Sequence, residues 1–157
     1  MEEIKEMELI HAGGSEVVFP EIRLSQHTKD FSWGFYCTNN YDQARRWARR
    51  KRPIPTINYY NYIENSNLKI LKFEEMTDGW LDFVANCRAG NGHSYDIVEG
   101  PMADDRVWDF VKMYITGRLS KIAFFEVAKF NYKTHQISFH SVEALRCLKF
   151  ERSEPLR

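Results

Sequence analysis

A short aromatic strand set between a charged turn and a helix is the feature that most limits how this chain can fold. The run Gly34-Phe35-Tyr36-Cys37-Thr38 follows Lys29-Asp30-Phe31-Ser32 and leads through Asn39-Asn40-Tyr41 into a helical stretch, Gln43 to Ala48. A strand that passes through a polar loop into a helix can bring one ring from each element to a single cleft, which suits a planar ligand. The same order also describes an ordinary strand end packed under a helix.

The chain has 157 residues, 43% of them hydrophobic, which predicts one domain, 1–157, with a sizeable core. Its formal net charge of zero gives no long-range field for nucleic acid or an anionic membrane. Cys37, Cys87 and Cys147 are widely spaced and odd in number, so they predict neither a disulfide framework nor a zinc knuckle. The charged start Met1-Glu2-Glu3-Ile4-Lys5-Glu6-Met7 lacks the apolar stretch of a secretory signal, and no run is long enough to span a bilayer. The expectation is a soluble cytoplasmic protein.

Periodicity outlines the remaining elements. Met7 to Ile10 reads as a strand ending at His11 before Ala12-Gly13-Gly14, and Val17 to Phe19 as an extended piece stopped by Pro20. Ala44, Trp47 and Ala48 share one helix face, and the basic run Arg45 to Arg52 suits a helix C-terminus before Pro53. Ile57 to Ile63 and Leu68 to Phe73 read as two strands joined by the turn Glu64-Asn65-Ser66-Asn67. Thr77 caps a helix through Trp80, Leu81, Val84 and Cys87, and Tyr95 to Val98 is a strand. Asp104-Asp105 open a further helix, where acids suit the first turn. Ser120 to Lys129 fits either helix or buried strand; Gln136 to His140 is a strand; Ser141 caps a short helix through Leu148. The charged tail after Phe150 has little to bury.

Several chemistries compete for these residues. His11, His27, His93, His135 and His140 form no metal-ligand spacing, and close cysteine pairs are absent. Gly13-Gly14 alone is not a nucleotide loop, and a thiol enzyme would need a positioned base beside a cysteine. The basic run Arg45 to Arg52 can touch phosphates, but overall neutrality argues against a dedicated nucleic-acid module. A histidine before glycines, an aromatic strand end and a polar residue on a late strand are together compatible with a nucleotide cleft.

Longer motifs carry a family resemblance. These are Lys29 to Thr38, Gln43-Ala44 with Trp47-Ala48, Trp80-Leu81-Asp82-Phe83, Tyr95 to Pro101, Ala103-Asp104-Asp105 and Gln136 to His140. On these motifs the chain resembles the ADP-ribosyltransferase superfamily, in its diphtheria-toxin-like and PARP-like branch. Within that branch it is similar to the bacterial, toxin-like DUF3990 family. The resemblance implies an α+β fold, a split β-sheet core with flanking helices, with NAD as co-substrate between the sheets and no metal. It implies catalytic positions at His11, Tyr36 and Gln136. NAD would be held by His11 on the adenine-side ribose, the Ala12 backbone on the carboxamide, and Tyr36 with Trp47 around the nicotinamide. Ala44 borders the same site, and Arg88 neutralises the pyrophosphate.

The implied reaction is transfer of ADP-ribose to an unknown protein or nucleic-acid acceptor, in a toxin that a neutralising antitoxin restrains. His11-Ala12 replaces the usual His-Gly, and Ser32 replaces the glycine of an Asp-Phe-Gly turn. Gln136 is neutral where the family pattern often has an acid, so Asp104 and Asp105 stand as substitutes for the missing charge. Gln136→Glu is then expected to raise NAD hydrolysis. The alternative is an NAD- or nucleotide-binding interaction module that holds the ligand without turnover.

Overall fold

The computed structural model describes residues 6–23, 29–103, 105–128 and 134–156. In chain order the elements are β1 (Glu6–Gly13), β2 (Phe35–Cys37), α1 (Tyr41–Ala48), β3 (Thr56–Ile63), β4 (Ile70–Lys72) and α2 (Asp78–Arg88). They continue with β5 (Ile97–Gly100), α3 (Asp105–Ile115), α4 (Lys121–Ala128), β6 (Gln136–Phe139), α5 (Val142–Leu145) and β7 (Leu148–Pro155). His27 and Asp104 lie outside the described residues.

Two sheets result: an antiparallel one in the order β1-β3-β7, and a second in the order β2-β6-β5-β4. Only β4 and β5 run parallel within the second. This is the α+β class expected from the sequence. β3 reads Thr-Ile-Asn-Tyr-Tyr-Asn-Tyr-Ile, rich in the β-branched and aromatic residues that suit a central strand. The helix starts follow local chemistry: Asn40, Thr77 and Ser141 accept from the backbone N–H groups of Gln43, Trp80 and Ala144.

Three apolar clusters set the layers. Leu9, Tyr60 and Tyr62 of the first sheet meet Phe35, Cys37, Ile137 and Phe139 of the second. The opposite face of the second sheet, with Tyr36 and Val98, packs on Trp80, Leu81, Val84, Val107, Val111 and Phe124 of α2, α3 and α4. The outer face of the first sheet, with Ile10, Ala12, Ile57 and Tyr59, packs on Ala44 and Ala48 of α1.

The two strands expected on either side of Glu64-Asn65-Ser66-Asn67 are present as β3 and β4; the connection after Ile63 crosses to the other sheet, where β4 lies beside β5. The tail after Phe150 buries little, as expected, yet it continues β7 to Pro155 along β3. Its stability comes from backbone bonds and from side chains such as Arg152, whose guanidinium lies 3.9 Å from the Tyr59 ring centre. Val17 is held by side chains in place of a strand ladder, its N–H donating to Asn58 Oδ1 and its carbonyl accepting from Tyr60 Oη. The short helix after Ser141 ends at Leu145 rather than Leu148. The ambiguous stretch is resolved as the helix α4.

Candidate functional site

The two sheets touch through an isolated bridge in which Ile10 and Thr38 exchange both backbone bonds, each 2.9 Å. A continuous antiparallel ladder would next pair Ala12 with Tyr36. That pair is missing, because His11 Nδ1 lies 2.7 Å from the Tyr36 carbonyl and takes the place of the Ala12 N–H. Since Ile10 spends its N–H and C=O on Thr38, strand alternation turns those of Ala12 the same way, away from β3 and into the split. Neither has a hydrogen-bond partner among the described residues. The side chain of Ala12 goes the other way, into the α1 cluster.

His11 is fixed on both sides. Its ring stacks on Phe35 with centroids 4.0 Å apart, and its bond to a carbonyl, which can only accept, assigns the proton to Nδ1. Burial is the main cause of a pKa lowered to about 4, aided by Lys29 and Lys51 and opposed by the Tyr36 carbonyl. The ring is therefore neutral at physiological pH, with Nε2 as its acceptor.

Tyr36 is positioned by the turn that precedes its strand. Ser32 N–H donates to Lys29 O, closing Lys29 to Ser32 as a turn, and Tyr36 Oη accepts from Phe31 N–H and donates to Ser32 O. Burial raises the phenol pKa, with Asp30 adding to the effect, so Tyr36 offers its ring and not an ionised oxygen. Ser32 has φ of 74°, the left-handed region that glycine takes without strain. The serine therefore keeps the glycine-like turn at a cost of about 1 kcal/mol.

Asp30 gathers a second cluster behind this turn, and no local sequence feature marks it. It is 2% exposed and receives four donors. Arg88 reaches Oδ1 through Nε at 2.8 Å and Nη2 at 2.6 Å; Ala103 N–H and Gln136 Nε2 reach Oδ2 at 2.7 and 2.9 Å. The partners lie 58, 73 and 106 residues away in sequence, so no local motif announces them.

The expected site residues thus fall into two groups. His11, Ala12 and the Tyr36 carbonyl meet at the split, while Gln136 and Arg88 meet at Asp30 behind the Tyr36 turn. The face of β6 that carries Gln136 and Ser138 is not open, since both side chains are buried as completely as Ile137 and Phe139. Gln136 also donates to Pro101 O at 3.4 Å. With its nitrogen aimed at two acceptors, the amide orientation is fixed. Arg88 is not a free phosphate ligand: Asp30 takes its charge, and its guanidinium lies 4.2 Å from the Trp108 ring centre. Ala44 is wholly buried, and Trp47 packs against the α1 cluster, whereas Tyr36 belongs to the cluster under α2 and α3. Tyr36 and Trp47 therefore do not form one aromatic sandwich.

The other candidate chemistries sit elsewhere. Burial raises the thiol pKa at all three cysteines, to about 12 at Cys87, which leaves no activated thiolate. His135 Nδ1 accepts from Asn39 N–H, so Nε2 donates to Glu99 at 2.8 Å. That pair borders a groove of about 310 Å³ with Lys72, Glu74 and Pro101. Arg45 and Arg49 line another groove with Glu154 and Leu156. Among the described residues no group of three or more His, Cys, Asp or Glu is placed to hold a metal ion, and no helix is long and apolar enough to cross a membrane.

Two half-buried histidines make acid stability a direct check on this geometry. His140 Nδ1 donates to Trp33 O and Nε2 accepts from Ser138 Oγ; burial lowers its pKa to about 4, matching His11. Each folded pKa lies below the unfolded value of 6.5, so the unfolded chain takes up protons first as the solution acidifies. The contribution of these two rings is complete above pH 6.5 and is lost as pH falls toward 4. Thermal melts across that interval check it, and a melting temperature that stays level contradicts the neutral state of both rings.

The family model described as "Protein of unknown function (DUF3990)" matches residues 7–150, and the chain belongs to that family. No curated protein and no solved structure matches the chain.

Proposed function

We propose that this member of the DUF3990 family is an NAD-dependent mono-ADP-ribosyltransferase that acts at the split between β1 and β2. The observation that carries this reading is the interrupted ladder beyond Ile10 and Thr38, with the Ala12 peptide groups turned into the opening beside a neutral His11. An adjacent N–H and C=O on one strand complement a primary carboxamide, which carries one acceptor and two donors. The Nε2 acceptor of His11 suits a ribose hydroxyl. Both groups are fixed before ligand arrives, which lowers the ordering cost of binding.

The reaction breaks the nicotinamide–ribose C–N bond; its electron pair leaves with the nicotinamide, and the acceptor's nucleophile forms the new bond to the sugar carbon. Positive charge gathers on the ribose in the transition state, so orientation and electrostatics matter more than an enzyme nucleophile. Tyr36 contributes ring surface, since its hydroxyl is spent on the turn. Gln136 can supply only a dipole, and the Asp30 carboxylate beside it is balanced by Arg88. Slow turnover and a single transferred unit are the expected consequences. The acceptor is a macromolecule, protein or nucleic acid, and the exposed arginines of the Arg45 to Arg52 run offer one surface for the latter. A toxin role with a neutralising partner and a cytoplasmic setting belong to the same reading.

A binding module is the second reading, favoured by the neutral Gln136 amide, whose nitrogen is committed to Asp30 and Pro101. Incubating cell extract with isotopically labelled NAD separates the two. Wild-type protein should release nicotinamide and leave an ADP-ribose adduct detectable by mass spectrometry, with His11→Ala reduced about tenfold or more. Calorimetric NAD binding without nicotinamide release selects the binding module, and absence of binding rejects both.

A further inference from the structure

The Tyr36 ring already holds a cation. Lys29 Nζ lies 4.9 Å from the ring centre, within the range where an ammonium is drawn to the negative face of an aromatic ring. The lysine belongs to the turn that also binds the Tyr36 hydroxyl, so its backbone is fixed relative to the ring. No described carboxylate pairs with it, because the neighbouring Asp30 is engaged by Arg88. The oxidised nicotinamide of NAD is itself a flat cation, and two cations cannot share one ring face.

We propose that Lys29 is an internal competitor at this site, a specificity-determining residue whose ammonium must leave the Tyr36 face before a pyridinium ring can stack there. The inference rests on reading Tyr36 as the ring that receives nicotinamide. Displacement needs no opening of the core, since Lys29 as a residue is exposed. The ammonium is also held against opposition: desolvation first, then Lys51 and Arg88, lower its pKa to about 8, with Asp30 acting the other way. The contact can thus discriminate by charge. A cationic ring competes with Lys29 for the Tyr36 face and is repelled by it, while a neutral ring meets only its bulk.

Calorimetric titration of wild type, Lys29→Met and Lys29→Arg with NAD and with its reduced, neutral-ring form tests the inference. Lys29→Met should bind oxidised NAD about tenfold more tightly and the reduced form no more than about threefold more tightly, whereas Lys29→Arg should resemble wild type. Lys29→Gln serves if the methionine variant melts early. Equal gains for the two forms, or none, overturn competition between charges. Equal weakening would instead make Lys29 a phosphate contact and overturns it as well. If neither form binds any of the proteins, the nicotinamide reading fails and the inference falls with it, an outcome distinct from binding that ignores residue 29.

Discussion

Replacing Asp30 with alanine is expected to destabilise the fold by about 3–5 kcal/mol, the usual loss when one partner of a buried ion pair is removed. For a chain of this size that corresponds to a melting temperature lower by roughly 10 °C. The change would take the Asp30 carboxylate from the Arg88 guanidinium, the Ala103 N–H and the Gln136 amide. Arg88→Met keeps much of the packing on Trp108 while removing the charge. The double variant should therefore lose clearly less than the sum of the single losses. Thermal melts of the four proteins measure this coupling. Additive losses, or a melting temperature for Asp30→Ala within about 2 °C of wild type, contradict the central place given to the carboxylate.

Gln136→Glu should also lose stability, by about 2–3 kcal/mol at neutral pH, and should not gain NAD hydrolysis. The introduced carboxyl would stand where Gln136 Nε2 now lies 2.9 Å from Asp30 Oδ2. Two carboxylates at that separation cannot both ionise, so the pair retains a proton and the new acid titrates above its ordinary range. With the folded pKa raised, the protonated pairing is intact below the unfolded glutamate pKa and is lost as pH rises through the folded one. The deficit relative to wild type should shrink near about pH 5. This reverses the expectation from family resemblance alone, in which a glutamate at this position restores the missing charge. A variant with wild-type stability and faster nicotinamide release at neutral pH would show that residue 136 faces the ligand and not Asp30.

The contrast marks what the sequence makes legible. Local signals placed the helix starts at Thr77 and Ser141, the aromatic strand after the charged turn, and His11 at the end of the first strand. These depend on a residue and its near neighbours. β7 depends on pairing with β3, ninety or so positions earlier, which side-chain hydrophobicity alone does not report. The Asp30 cluster was hidden for a similar reason, because a turn carboxylate is ordinarily solvated and only the fold brings Arg88, Ala103 and Gln136 to it. The Lys29-Asp30-Phe31-Ser32 motif is legible as a turn, but nothing near it in sequence gives its acid a role. Trp47 shows the opposite limit: helical spacing put it on the Ala44 and Ala48 face, and that face is core.

The split beyond Ile10 and Thr38 is the proposed NAD site. A crystal structure of the protein with NAD is the most direct measurement. It should show the carboxamide bonded to the Ala12 N–H and C=O, a ribose hydroxyl on His11 Nε2, and the nicotinamide against Tyr36 with Lys29 moved aside. NAD bound at another surface, with the Ala12 peptide groups unengaged and Lys29 still over the ring, would contradict it.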